Sequence, residues 1–293
     1  MRSTVRLSGG LGNQMFQYAF GRRLATAPGL TVSFDVENGF RGDPFARKFS
    51  LDAFEARIVK AIPSDIPLGI GWHRPWRGLA KVGWRVLPRA QQRLVEERVA
   101  HQCDAEVLSM AAVPGKYYSG YWQNEGYFLP VQDALRGEFA LRQPLRPAFR
   151  ALTEEMAGCR SVSVHARRCV EHDQAKVMLS RCDGSYFQRA VMKIGVTAET
   201  VYYIFSDIPA WAKSNLKLPG ICRYVADLGP WSDGEELVLM SGCQHHVISN
   251  STFGWWGAWL GKNPAKVIVA PKIWGAEMPT DRINICPPGW LLA

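Results

Sequence analysis

The sequence predicts an α/β fold built as two stacked domains, and three observations predict it. The chain opens as strand, glycine turn, helix and strand. Its second half repeats the alternation of apolar strands with helical segments, and a segment with two prolines lies between the halves. In the opening, residues 4–8 read as a short strand that runs into Gly9, Gly10, Leu11 and Gly12. A helix over 13–25 follows, with apolar residues at Met15, Phe16, Ala19, Phe20 and Leu24, and then a strand over 30–35. Strand, turn, helix, strand is the start of a parallel layer, because a helical crossover returns the chain to the same end of the sheet.

Residues 63–88 are rich in Pro, Gly and Trp and show no clear period. An aromatic strand over 117–123 and a helix over 129–139 complete the first half. Pro144 and Pro147 mark the segment between the halves as a linker, which sets domains at 1–145 and 146–293. In the second half, strands are expected over 161–165, 201–205, 246–248 and 267–270. Helices are expected over 186–194 and 253–260, and a third ends over 237–242. Two such halves would face each other across a cleft, with ligands at the carboxyl ends of the strands. There is no internal repeat or low-complexity tract.

The 293 residues are 47% hydrophobic and 21% charged, the balance of a chain that can bury a core. The formal net charge is +9. Such a surface suits nucleic acid, anionic lipid or a phosphorylated small molecule. Nucleic acid is disfavoured, because no basic stripe or recognisable module is present. The densest basic stretch carries Arg74, Arg77, Lys81, Arg85, Arg89, Arg93 and Arg98 between apolar residues, as an amphipathic helix interrupted by Pro88 would. It reads as a solvated helix face or as a surface for peripheral contact with an anionic membrane. The seven cysteines are odd in number, widely spaced and without a C-x-x-C pair, so reduced thiols are expected rather than a disulfide framework. No run approaches the ~20 apolar residues of a membrane span, and Gly9 comes too early for a signal peptide. The expected location is the cytoplasm, with the inner face of the membrane as a peripheral site.

Four segments could carry chemistry. The glycines at 9, 10 and 12 let a backbone approach an anion, and the helix start offers N–H groups, with Asn13 and Gln14 adding amide donors. A plain tight turn explains the glycines equally well, since neither a dinucleotide fingerprint nor a P-loop is complete. His165, Ala166, Arg167 and Arg168 follow a strand directly. Arginine there could grip phosphate oxygens with its charged fork and offset charge on a departing diphosphate; a salt-bridged surface pair is the alternative. Ser206 and Asp207 end another strand, where a carboxylate could take a base edge or ribose hydroxyls, or cap a helix. Last, Ser249, Asn250, Ser251 and Thr252 lead into a helix, again a geometry for anions. Its Trp255, Trp256 and Trp259 are expected mostly in the core. His245 and His246 would face opposite sides of a strand and lack a third ligand at suitable spacing, so no metal site is expected.

Together, in this order, the segments resemble the bacterial and animal α-1,2-fucosyltransferase family, glycosyltransferase family 11. Its members open with Gly-Gly-Leu-Gly-Asn-Gln-Met-Phe-Gln-Tyr-Ala, matched here from Gly9 to Ala19. They carry His-x-Arg-Arg, matched from His165 to Arg168, and Phe-Ser-Asp, matched from Phe205 to Asp207. They close with Ser-Asn-Ser-Ser/Thr-Phe-x-Trp-Trp-Gly-Ala-Trp-Leu, matched from Ser249 to Leu260. The resemblance implies a GT-B type fold of two Rossmann-like domains, with the acceptor on the N-terminal side and GDP-fucose held by the C-terminal half. It implies transfer of fucose with inversion to a sugar hydroxyl, most simply the 2-hydroxyl of a terminal galactose on an oligosaccharide or glycolipid, without a metal. Carried over, Arg167 and Arg168 bind the diphosphate and His165 the nucleotide or fucose. Asp207 contacts guanosine, Asn250, Ser251 and Thr252 line the phosphate side, and Gly10, Gly12, Asn13 and Gln14 reach the donor.

One departure stands out. The family reads His-x-Arg-Arg-Gly-Asp-Tyr, whereas this chain has Cys169, Val170 and Glu171 after Arg168. The base role of that Asp therefore does not carry over. Glu171 and Asp173 are the nearest substitutes; alternatively, an early-departing leaving group needs no protein base. The rival readings are a transferase for another GDP-sugar or linkage, and a nucleotide-sugar-binding relative without catalysis.

Overall fold

A computed structural model describes residues 2–67, 70, 87–110, 113–142, 145–168, 182–195, 197–275, 278–279 and 284–293. The chain divides into two compact units, Met1–Phe139 and Ala140–Ala293.

In the first unit, β1 (Arg2–Arg6), β2 (Thr31–Asp35), β3 (Leu94–Glu96) and β4 (Tyr117–Ser119) form one sheet in the order β2-β1-β4-β3. Every pairing in it is parallel. The helix α1 (Leu11–Leu24) crosses from β1 to β2. It is covered nearly all round rather than along one stripe: Met15, Phe16, Tyr18, Ala19, Phe20 and Leu24 are fully buried. Gly21 permits this, since a Cβ there would lie 2.6 Å from the ring of Phe34 on β2. Phe20 stacks on Trp122 at 4.4 Å, and the rings of Tyr118 and Tyr127 meet it edge-on. At the far end of α1, Arg22 grips Glu138 with both nitrogens at 2.8 Å, and the Tyr18 hydroxyl donates to the same carboxylate at 2.7 Å. Glu138 ends α3 (Gln132–Glu138), which falls within the helix expected over 129–139.

The basic helix expected across 74–98 does not extend through its described part. Residues Arg89–Gln91 form a single 3₁₀ turn, and Leu94–Glu96 is the edge strand β3. Arg89 is buried and paired with Asp104, the N-cap of α2 (Ala105–Ser109). A buried arginine with a carboxylate partner is a structural clamp, so the four-residue recurrence of basic residues misled. Arg74, Arg77, Lys81 and Arg85 lie outside the described residues.

The second unit holds a six-stranded sheet in the order β12-β9-β8-β5-β6-β7, all parallel. Its strands are β5 (Ser161–His165), β6 (Val201–Phe205), β7 (Ile221–Tyr224), β8 (His245–Ile248), β9 (Ile268–Ala270) and β12 (Leu291–Leu292). A two-stranded ribbon, β10 (Ile273–Gly275) with β11 (Met278–Pro279), stands apart from it. The central β5 is buried at every position, as a strand covered on both faces must be. Its two serines are satisfied inside: Ser161 Oγ donates to Met156 O at 2.6 Å, and Ser163 Oγ meets His246 Nδ1 at 2.8 Å. The helices α4 (Pro147–Ala157), α5 (Gly184–Ile194), α6 (Pro209–Asn215), α7 (Asp233–Ser241) and α8 (Thr252–Leu260) cover it. Among the described residues no helix is long and apolar enough to cross a membrane. Cys103, Cys159, Cys182, Cys222, Cys243 and Cys286 are free thiols.

Both sheets have a point where the direction of strand addition changes. In the second unit, the chain runs outward from β5 through β6 to β7, then returns to β8 on the other side of β5. The carboxyl ends of β5 and β8 therefore sit side by side with their connections leaving in opposite directions. That is where open parallel sheets hold ligands.

Candidate functional site

Strands β5, β6 and β8 bring the second-half motifs together at this point. Ala166, just past β5, donates its N–H to Phe205 O at 2.8 Å, and Ser206 Oγ donates back to Ala166 O at 2.8 Å. Asp207 then supports the arginines. Its Oδ1 accepts the Arg168 N–H at 2.8 Å, and its Oδ2 lies 3.3 Å from Arg167 Nε. From β8, Ser249 Oγ accepts the Arg167 N–H at 3.2 Å. The backbone of the arginine loop is thus tied to two neighbouring strand ends, while the Arg167 side chain stays 28% exposed. Asp207 does not cap α6, whose N-cap is Ile208.

The two arginines differ. Arg168 lies over the ring of Trp211 at 4.2 Å and donates to Cys182 O at 3.1 Å, so its guanidinium fastens α6 and the start of α5 to the loop. Arg167 is the one whose charged fork is presented at the strand ends.

His165 lies beneath them. It is 5% exposed, its Nδ1 meets Ser249 Oγ at 3.2 Å, and its ring stacks on Phe253. Burial, with the neighbouring Arg167 charge adding to it and Asp207 opposing, pushes its pKa down to about 3. The imidazole is neutral, so it can orient a neighbour or share a hydrogen bond but supplies no positive charge. Gly254 makes room for it: a Cβ there would lie 2.5 Å from His165 Nδ1.

On the β8 side, Asn250 Nδ2 donates to Trp274 O at 2.9 Å, and Ser251 is the N-cap of α8. Thr252 opens that helix. Trp255 and Trp256 are fully buried and Trp259 nearly so, with the Trp255 indole N–H donating to Ile285 O at 2.7 Å. The tryptophans are core, as the sequence predicts.

One functional candidate escaped the sequence. Glu236, in the first turn of α7, is half-buried, and its carboxyl accepts no hydrogen bond among the described residues. Burial and then the Asp233 charge push it up to about 7, while Arg167 acts in the opposite sense. Arg167 therefore has a second acidic neighbour besides Asp207. No sequence signal marks this, because a glutamate in the first turn of a helix is ordinary. Glu171 and Asp173, the expected base candidates, and Val170 lie outside the described residues.

The glycine-turn residues belong to the first unit. Gly9 takes φ +74°, a left-handed conformation that favours glycine, and a Cβ on it would crowd the Asn13 side chain. Gly10 is the N-cap of α1, Gly12 is buried, and Asn13 Oδ1 accepts from Gln123 Nε2 at 2.8 Å. Gln14 departs from the expectation that it reaches the donor. It is fully buried, its Nε2 donates to Gly9 O and Lys48 O, and its Oε1 accepts the Ser50 N–H, each at 2.9 Å. With both amide N–H groups and its oxygen engaged inside the unit, Gln14 holds the 48–50 loop to the helix.

His245 Nδ1 accepts the Val267 N–H at 3.1 Å, and His246 Nδ1 is engaged by Ser163. Among the described residues no three His, Cys, Asp or Glu side chains gather as a metal would need.

Comparison with known proteins decides the family. Residues 95–292, more than half of the chain, match the family model described as Glycosyl transferase family 11. The chain belongs to glycosyl transferase family 11. An alpha-1,2-colitosyltransferase of Escherichia coli is 27% identical to this family member over 302 residues, spanning 98% of this chain and 97% of that one. The Galactoside alpha-(1,2)-fucosyltransferase 1 of Homo sapiens is 25% identical over 277 residues, spanning 88% of this chain and 65% of that one. Among solved structures, a point mutant of Arabidopsis thaliana FUT1 in complex with GDP aligns with a TM-score of 0.50 at 12% identity. That match covers 91% of this chain and 69% of the other, and it speaks to the fold alone. The family 11 chain is thus of the GT-B type, with two Rossmann-like α/β units.

Proposed function

We propose that the protein transfers L-fucose from GDP-fucose to a sugar hydroxyl, namely the 2-hydroxyl of a terminal galactose on a surface glycan, oligosaccharide or glycolipid. The observation that carries this reading is Arg167, fixed by Asp207 and Ser249 at the strand ends with its side chain partly exposed. A preorganised guanidinium there pairs with the donor diphosphate and stabilises the negative charge that builds on it as the sugar departs. Ser251 and Thr252 at the start of α8 face the same phosphates with hydroxyls and first-turn N–H groups. The neutral His165 keeps Ser249 oriented from below.

In the reaction, the acceptor hydroxyl oxygen bonds to the anomeric carbon as that carbon's bond to the phosphate oxygen breaks. GDP leaves with the bonding pair, and the hydroxyl proton passes to a base or to water. Displacement on a β-linked donor gives the α product. Arg167 takes the charge-neutralising part that a divalent ion plays in other transferases, so the reaction proceeds without metal. The protein works in the cytoplasm, at the inner face of the membrane, where GDP-sugars and lipid-linked acceptors meet.

A second reading keeps the chemistry and changes the sugar. The Escherichia coli relative is a colitosyltransferase, and colitose is fucose without its 3-hydroxyl. The test offers GDP-fucose, GDP-colitose and GDP-mannose separately with lactose or N-acetyllactosamine, and reads GDP release, product mass and linkage. An α-1,2-fucosylated product from GDP-fucose supports the first reading. Product from GDP-colitose alone favours the second, and donor binding without any product points to a non-catalytic relative.

A further inference from the structure

The first unit has its own change of strand order. β1 pairs with β2, its successor, on one side and with β4 on the other, while β4 is reached from β3 at the far edge. The sheet is therefore divided between β1 and β4, and the ends of these two strands carry the 9–13 turn and the 120–124 loop. Loops that meet outside the carboxyl ends of such a pair form the crevice in which open α/β sheets hold ligands.

The two loops are bound to each other. Gln123 Nε2 donates to Asn13 Oδ1 at 2.8 Å. The buried Gln17 amide donates to Gly120 O at 3.0 Å and to Ser8 Oγ at 3.1 Å, and it accepts the Ser8 N–H at 2.8 Å. From the other side, Glu97, just past β3, accepts the N–H of Tyr121 at 2.7 Å and that of Trp122 at 3.1 Å. Gly120 allows Glu97 this close, since a Cβ there would lie 2.5 Å from the Glu97 Cβ.

Within this clamped loop, one residue is turned outward. Trp122 is fully buried, stacked on Phe20, and has φ +55°, in a region costly for any residue but glycine. That left-handed step sends the indole into the core and leaves the ring of Tyr121 outside, 45% exposed. Its hydroxyl has no hydrogen-bond partner among the described residues. A left-handed step at Trp122, in a loop tied from both sides at the carboxyl end of β4, invites a functional explanation for the ring it leaves in solvent.

We propose that Tyr121 is the platform for the acceptor sugar, its ring lying against the C–H face of the hexopyranose whose hydroxyl is glycosylated. A flat ring with a polar tip suits a pyranose, which has an apolar face bordered by hydroxyls. Gln123, two residues along the same loop and bonded to Asn13, supplies an amide from that loop. The proposal rests on the glycosyl-transfer reading above and names the side chain that would hold the acceptor in this unit.

The experiment compares wild type, Tyr121→Ala and Tyr121→Trp with GDP-fucose as donor and N-acetyllactosamine as acceptor. The result expected is an acceptor KM raised about tenfold in Tyr121→Ala, the scale of a lost ring contact, with the KM for GDP-fucose unmoved. Tyr121→Trp, which keeps a flat ring, restores a low acceptor KM. An acceptor KM unchanged in Tyr121→Ala would overturn the proposal, and so would an equal rise in both KM values, because that pattern reports a disturbed loop. A wild-type protein that binds GDP-fucose yet glycosylates nothing would instead defeat the transfer reading itself.

Discussion

The Arg167 Nε lies 3.3 Å from Asp207 Oδ2, and the other oxygen of the same carboxylate takes the Arg168 backbone N–H at 2.8 Å. One side chain at the end of β6 thereby fixes both the backbone and the head group of the loop that leaves β5. A guanidinium held this way needs little reorganisation when a diphosphate arrives, and that is what makes its charge effective in a transition state.

Arg167→Ala should accordingly lower turnover by roughly 10²–10³-fold, the usual effect of removing a preorganised donor to a departing anion. Single-turnover rates with saturating GDP-fucose measure it directly. Near-normal turnover would remove Arg167 from the chemistry. Asp207→Ala should produce a smaller loss, since the guanidinium remains but is no longer held in one orientation.

Much of this arrangement was legible in the sequence, for reasons that particular residues make plain. Strand β6 falls where Val201 to Phe205 place it, because a strand buried on both faces is a short apolar run. Strand β5 shows instead through its alternation of valines with small or polar residues, Ser161 to His165. The helix α4 was hidden by Pro147, read as linker although proline also suits the first turn of a helix, as it does here. The strand β7 was hidden by its position at the sheet edge, where Ile221 is exposed and the apolar signal is weak. Gln14 and Glu236 show what a sequence cannot carry. An amide at a helix start can turn inward to a loop 34 positions away, as Gln14 does to Lys48. Whether a glutamate in a first turn faces solvent or an arginine depends on which helix lands beside which strand.

Glu236 gives the protein a pH dependence of its own. Its carboxyl is raised from 4.5 to about 7 in the folded state, so the folded protein holds this proton more tightly than the unfolded chain does. The stability it contributes is complete below about pH 4.5 and is lost as pH rises through about 7. Glu236→Gln should therefore flatten the profile of melting temperature against pH across that window. An anionic diphosphate brought to Arg167 would raise the carboxyl further, so GDP should bind more tightly as pH falls through 7, less steeply in Glu236→Gln. Superimposable profiles for the two proteins would show that Glu236 does not titrate there.

Activity should survive excess EDTA. On the proposed reading, Arg167 takes up the charge that a divalent ion would otherwise neutralise. Initial rates before and after chelation, with manganese or magnesium added back, provide the check. An enzyme silenced by EDTA and revived by either ion would contradict the metal-free mechanism.

Gly254→Ala tests whether the site is held from below. The added Cβ would lie 2.5 Å from His165 Nδ1, closer than real Cβ contacts come, and a tight 3.0 Å from its Cγ. His165 has no free volume to retreat into, since Phe253 stacks on its ring and Ser249 holds its Nδ1. Either the imidazole swings away from Ser249 or α8 shifts outward, and both outcomes loosen the Ser249 hydroxyl that anchors the Arg167 backbone. Overpacking of this kind costs roughly 1–3 kcal/mol, measurable as an earlier denaturant midpoint with an unchanged slope. Because the strain is relayed to the arginine loop, GDP affinity should fall together with stability. A variant with the wild-type midpoint and wild-type affinity would mean that His165 is not the rigid support these contacts describe.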